Sequence, residues 1–79
     1  MTHFTFEKNE DGTVKKAVWS FDNNARYYYA TDNCGEGIFM YDRSAGNSKQ
    51  LTGTCQFSVY KMKPNSARAK INKWFKQRY

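Results

Sequence analysis

Ala67-Arg68-Ala69-Lys70-Ile71-Asn72-Lys73-Trp74-Phe75-Lys76-Gln77-Arg78 is the stretch on which the fold class turns. Ala67, Ile71, Trp74, Phe75 and the aliphatic stem of Arg78 recur at the spacing of one helical face. Pro64 closes what precedes, and Asn65 or Ser66 can cap the helix that follows. One helix with one apolar stripe must bury that stripe against a second layer. The residues upstream supply it as strands.

Thr2–Lys8 sets Phe4 and Phe6 against His3, Thr5 and Glu7, the alternation of a half-buried strand. Asn9-Glu10-Asp11-Gly12 reads as a turn. In a second strand, Thr13–Phe21, regular alternation puts Val14, Lys16, Val18 and Ser20 opposite Lys15, Ala17, Trp19 and Phe21. Asp22-Asn23-Asn24 closes the second hairpin, Arg26–Thr31 forms a third strand, and Asp32–Gly35 a loop. Gly37–Asp42 is a fourth strand. Arg43–Gln50 is polar enough to read as a mobile loop. Leu51–Lys61 then alternates cleanly, with Leu51, Gly53, Cys55, Phe57 and Val59 toward the core. The expected fold class is α+β: a single antiparallel sheet of about five strands in hairpin or meander order, with one C-terminal α-helix packed on one face. Residues 1–79 form a single small basic domain.

That domain has little stability to spare, because 79 residues bury a small core. Six Phe, six Tyr and two Trp nevertheless argue for a folded chain. The size excludes a cofactor domain or a deep enclosed site. No apolar stretch approaches the roughly 20 residues that cross a bilayer, and the first ten residues lack the charged-then-apolar order of a secretory signal. A cytoplasmic protein is therefore expected, with no membrane partner. Cys34 and Cys55 stand apart from each other and from His3, without the spacing of a zinc site. They read as two half-buried thiols in a reducing compartment, and their pairing is left open. Neither a metal nor another cofactor is implied, and no set of residues reads as catalytic.

The charge is unevenly placed. The chain carries thirteen Lys and Arg against seven Asp and Glu, a net +6. All seven acids fall within residues 1–42, whereas residues 43–79 hold nine bases and no acid. Such asymmetry points to a polyanionic partner. On the helix, Arg68, Lys70, Lys73 and Lys76 lie off the apolar stripe. Lys70/Lys73 and Lys73/Lys76 are like-charged neighbours that cost a few tenths of a kcal/mol each. With Lys61, Lys63, Arg43 and Lys49 they are the candidate phosphate contacts. Arg26-Tyr27-Tyr28-Tyr29 must point Tyr27 and Tyr29 one way and Tyr28 the other. These three tyrosines are the candidates for stacking on bases, with Tyr41 and Tyr60 joining where their strands are neighbours.

Asn72–Arg78 is similar to the recognition helix of homeodomains over about seven residues. Gln77 stands where that family keeps an adenine-reading Asn, and strands replace its first two helices, so no residue roles are carried over. The function expected is a small, non-enzymatic nucleic-acid-binding protein that prefers RNA or single-stranded nucleic acid. Two alternatives share the same composition. One is an inhibitor of phage or mobile-element type, docking on a host nuclease or defence complex directly or through RNA. The other is a small metal-independent ribonuclease of toxin type. A homodimer through the open sheet face is a further expected partner arrangement.

Overall fold

Apolar residues at alternate positions resolve into a meander whose strands each pair with the next. The computed structural model of the chain describes residues 3–22, 25–53 and 55–78, with Arg78 as backbone alone. The strands are β1 His3–Lys8, β2 Val14–Ser20, β3 Tyr27–Ala30, β4 Ile38–Asp42 and β5 Asn47–Thr52. They form one antiparallel sheet in the order β1-β2-β3-β4-β5, followed by helix α1, Pro64–Arg78. The α+β architecture is the expected one. Thr2, the turn residues Asn23 and Asn24, Thr54 and the stem of Arg78, which also entered the expectation, lie outside the described residues.

Cross-strand pairing sorts the side chains into two faces. Phe4 pairs with Trp19, Trp19 with Tyr29, and Tyr29 with Met40. This row faces α1, whose Ala67 and Ile71 are fully buried. Trp74 of the helix lies edge-on to Trp19 at 6.4 Å and to Tyr29 at 6.2 Å, and Phe75 is edge-on to Tyr29 at 5.1 Å. Edge-to-face contacts of this kind add to the burial itself. Trp19 Nε1 has no hydrogen-bond partner among the described residues, so Trp19 contributes to the core as a ring.

The alternation expected in β2 is broken once. Glu7 pairs with Lys16 but Lys8 pairs with Val14, so Lys15 is the extra residue of a β-bulge. The bulge lets Val14 join Ala17 and Trp19 in the core, and it leaves Lys15 in water.

Helix α1 begins earlier than the capping residues suggested. Ala67 N donates to Lys63 O at 2.9 Å, which makes Lys63 the capping residue in place of Asn65 or Ser66. Pro64 occupies the first helical position, where its missing N–H costs nothing.

Two expectations between residues 43 and 61 are overturned. Residues 43–50 form a tight turn and most of an edge strand, where a mobile loop was expected. An edge strand needs only one partner and can keep its outer side in water, so Asn47, Ser48, Lys49 and Gln50 are all exposed. Beyond Thr52 the chain leaves the sheet, and its described residues bond to the β3–β4 loop and to Val14 at the start of β2. Gly37 N donates to Phe57 O, Val59 N to Gly35 O, Lys61 N to Val14 O and Val14 N to Met62 O, all within 2.9–3.0 Å. Phe57 and Val59 reach the core as expected, but Cys55 is exposed. Cys34 is exposed too, and both thiols are free, which corrects the half-buried reading. No helix among the described residues is long and apolar enough to cross a membrane.

Candidate nucleic-acid interface

The period of two in β3 divides its tyrosines as the sequence demands. Tyr28 faces away from the helix, where it pairs with Ser20 on one side and Tyr41 on the other. The Tyr28 and Tyr41 rings are stacked, with centroids 5.0 Å apart and planes 11° from parallel. The Arg43 guanidinium lies over Tyr28, 4.8 Å from the ring centre. With Val18, Asn47 and Ser48, these residues bound a shallow cavity of about 600 Å³ on the uncovered face.

Arg43 is positioned by a turn with strong local chemistry. The Asp42 carboxylate accepts from Ser44 N at 3.0 Å, Ser44 Oγ at 2.9 Å and Ala45 N at 3.2 Å. Gly46 N donates to Asp42 O at 2.9 Å, and Gly46 takes φ of +68°, which glycine adopts at little cost. Arg26 clasps the same carboxylate through Nε and an Nη nitrogen, each at 3.1 Å. Those hydrogen bonds from Arg26, helped by Ser44 and Ala45, hold the Asp42 carboxyl down at about 2.

Tyr29 does not belong with the stacking candidates. It is 6% exposed, stacked with Trp19 and edge-on to Trp74 and Phe75, so neither face is open to a base. Tyr27 points to the helix side of the sheet but lies beyond the core, 39% exposed. It borders a second cavity of about 640 Å³, walled by Phe21, Tyr27 and Phe75, with Arg26, Asn72 and Lys76 at its rim. Tyr41 joins Tyr28 as expected. Tyr60 does not, because its segment is no strand and its ring lies against Lys61 near Asn9–Asp11.

The eight candidate phosphate contacts do not form one patch. Arg68 lies over Phe4 at 5.4 Å on one flank of the apolar stripe. Lys70 lies over Phe57 at 5.1 Å on the other flank and donates to Ser58 O at 2.6 Å. Both are therefore engaged in holding the helix to its neighbours. Lys73 and Lys76 are exposed, with no ion pair or ring contact to any described residue. Lys61, in the left-handed region at φ +63°, contributes to the field that favours the Asp11 carboxylate, after the hydrogen bonds from Thr13. Lys63 caps the helix start beside it. Lys49 pairs with Met40 on the edge strand. The tertiary structure thus groups Arg43 with Tyr28 and Tyr41, and Lys76 with Tyr27.

Three residues at these cavities were not among the candidate site residues. Arg26 and Asn72 carry no local signal. Phe21 carries one: a large aromatic just before Asp22-Asn23-Asn24 sits where a turn leaves it in water, and it is 61% exposed. Among the described residues no three of His, Cys, Asp and Glu gather as metal ligands. Asp32 instead organises its own loop, accepting from Cys34 N and Glu36 N at 2.9 Å each. No family model matches the chain, and neither a curated protein nor a solved structure matches it.

Proposed function

We propose that the chain is a small non-enzymatic domain that binds RNA or another single-stranded nucleic acid across the uncovered face of its sheet. The observation that carries this reading is the stacked Tyr28–Tyr41 pair beside the Arg43 guanidinium, on the face away from the helix. A base extends an aromatic stack at a gain of roughly 1–3 kcal/mol, and every base has a ring face to offer. A guanidinium already stacked on a ring can turn to a phosphate without first being ordered. Unpaired strands fit such a platform because the bases of a duplex are already stacked and hydrogen-bonded with each other. Two exposed free thiols suit a reducing, cytoplasmic setting.

Fluorescence anisotropy with eight-residue RNA and DNA strands and a short duplex tests the reading. Single strands should bind more tightly than the duplex, and Tyr28→Ala and Tyr41→Ala should each weaken binding at least about fivefold. An unchanged affinity in both variants, or no binding by the wild type, refutes it. A protein partner retained after nuclease treatment would favour the inhibitor reading. One observation favours the ribonuclease reading: His3, Ser20, Tyr28 and Tyr41 stand in one cross-strand row. Cleavage of RNA in a chelator, lost in His3→Ala, would establish it.

A further inference from the structure

Phe21 and Tyr27 are large aromatic rings left in water at one end of a small protein that buries Trp19 almost completely. They wall the cavity of about 640 Å³ between the β2–β3 connection and α1, and Phe75 completes its apolar lining. Three polar groups converge on it. The Asn72 side chain makes no hydrogen bond to a described residue and offers both a donor and an acceptor. Lys76 is exposed at the rim, with Lys73 one turn earlier on the same helix. Arg26 is held by Asp42. Among the described residues, no carboxylate lines the cavity. Apolar walls with a few convergent polar groups are the usual make-up of a small-ligand site.

The position of this cavity relative to the tyrosine pair is the second observation. Tyr27 borders it on the helix side, and the next residue, Tyr28, belongs to the platform on the opposite side. Arg26 lines the first cavity and its ion-pair partner Asp42 lines the second. One pair of side chains at one end of the sheet therefore separates the two.

We infer that the groove between Phe21 and Asn72 holds one nucleotide of the strand that crosses the tyrosine pair, the chain passing round the end of the sheet over Arg26 and Asp42. The base packs against Phe21, Tyr27 and Phe75. The Asn72 amide hydrogen-bonds its edge, since an amide can match a donor–acceptor pair on a base. Lys76 meets a phosphate, with Lys73 beside it. The inference rests on the single-strand reading above and adds to it the part of the site that distinguishes one base from another.

The test uses the full chain with an RNA octamer of uridine and one of adenosine, measured by anisotropy. Phe21→Ala and Asn72→Ala are the variants; both residues are exposed, and thermal unfolding checks that each variant folds. Each should weaken octamer binding at least about fivefold. Asn72→Ala should also shrink the preference between the two octamers. Nitrogen-15 NMR with uridine and adenosine 5′-monophosphate should shift the amides of Asn72 and Lys76 in the wild type, and inorganic phosphate alone should shift them less. Wild-type affinity in both groove variants, with Tyr28→Ala still weakened, overturns the groove and leaves the platform standing. No octamer binding by the wild type overturns both. Groove signals moved by a tryptophan peptide flanked by Asp and Glu, and not by either nucleotide, assign the groove to a protein segment and overturn the inference.

Discussion

Salt dependence tests the placement of the cations more sharply than affinity does. On a single strand, each neutralised phosphate contributes about −0.7 to the slope of log K against log salt. If six of the eight candidate cations met phosphates, the slope would be about −4. The structure reduces that number. Lys70 is bonded to Ser58 O and packed on Phe57, and Lys61 and Lys63 stand by the Asn9–Asp11 turn and the start of the helix. Arg43 and Lys76 line the two cavities and Lys73 is exposed one turn before Lys76 on the helix, for a slope of about −2.

Raising potassium chloride from 50 to 200 mM should then weaken binding about 20-fold, where six contacts would weaken it about 300-fold. The perturbation is the double variant Lys73→Gln/Lys76→Gln, which should leave a slope near −0.7. Lys61→Gln/Lys63→Gln is the control and should leave the wild-type slope unchanged. Anisotropy of a labelled RNA octamer at four salt concentrations resolves these slopes. A wild-type slope near −4, or a control variant as flat as the test variant, would refute the assignment of the cations. A slope near zero would remove phosphate contacts altogether.

Lys70→Ala should lower stability by about 1 kcal/mol, the value of a hydrogen bond to a backbone oxygen, and leave octamer affinity within twofold; urea unfolding and anisotropy check the two halves. Gly35→Ala should destabilise by more than the roughly 1–2 kcal/mol of a left-handed residue, since Gly35 has φ +69° and a Cβ there comes within 3.0 Å of Lys15 O and of Tyr60 N and Cα. Its urea midpoint falling by less than that amount would mean that the crossing of residues 53–63 gives way easily. Asp42 is held at about 2, below its unfolded value near 4, so its contribution is present above pH 4 and is lost as pH falls through about 2. Unfolding midpoints measured from pH 5 to pH 2 should drop in the wild type and drop less in Asp42→Asn.

Much of the fold is legible because binary pattern and turn chemistry agree. Trp19, Ala17, Phe4 and Phe6 alternate in strands joined by Gly12, and Ile71 and Trp74 repeat at helical spacing. Between residues 43 and 61 the pattern misleads. Leu51, Phe57 and Val59 alternate like a strand, yet a strand needs a partner edge, and β5 already takes the one that β4 offers. Phe57, Val59, Lys61 and Met62 bond instead to the β3–β4 loop and to Val14 at the start of β2, which composition cannot announce. The β4–β5 hairpin, read as a mobile loop from its polar composition, is closed by Asp42, whose side chain accepts from its own turn, and by Gly46, which takes positive φ. The candidate site was half legible. Period two separates Tyr28 from Tyr27 and Tyr29, but only burial removes Tyr29, and only packing shows that Arg68 and Lys70 flank the helix on opposite sides.

The division of charge along the chain is not its division in space. Antiparallel order puts the β1–β2 turn and the β3–β4 loop at one end of the sheet, and the β2–β3 and β4–β5 connections at the other. Glu10, Asp11, Asp32 and Glu36 belong to the first end. There Lys15, Lys16, Lys61 and Lys63 offset them, so the basic residues that precede the helix lose their pull on a polyanion. The helix runs from that end toward the other, since Lys61 N bonds to Val14 O near its start while Asn72 and Lys76, near its finish, line one cavity with Phe21. At the second end, Asp42 is neutralised by Arg26, Asp22 follows Phe21 in the β2–β3 connection, and Arg43, Lys73 and Lys76 have no paired acid among the described residues. Cations in the last turns of a helix also complement its dipole, which explains why Lys76 is tolerated without a partner. Arg26, Arg43, Lys73 and Lys76 thus outnumber Asp22 and Asp42 at the end where Tyr28 and Tyr41 are stacked and Phe21 and Tyr27 are exposed, so the positive balance of the described charges lies there.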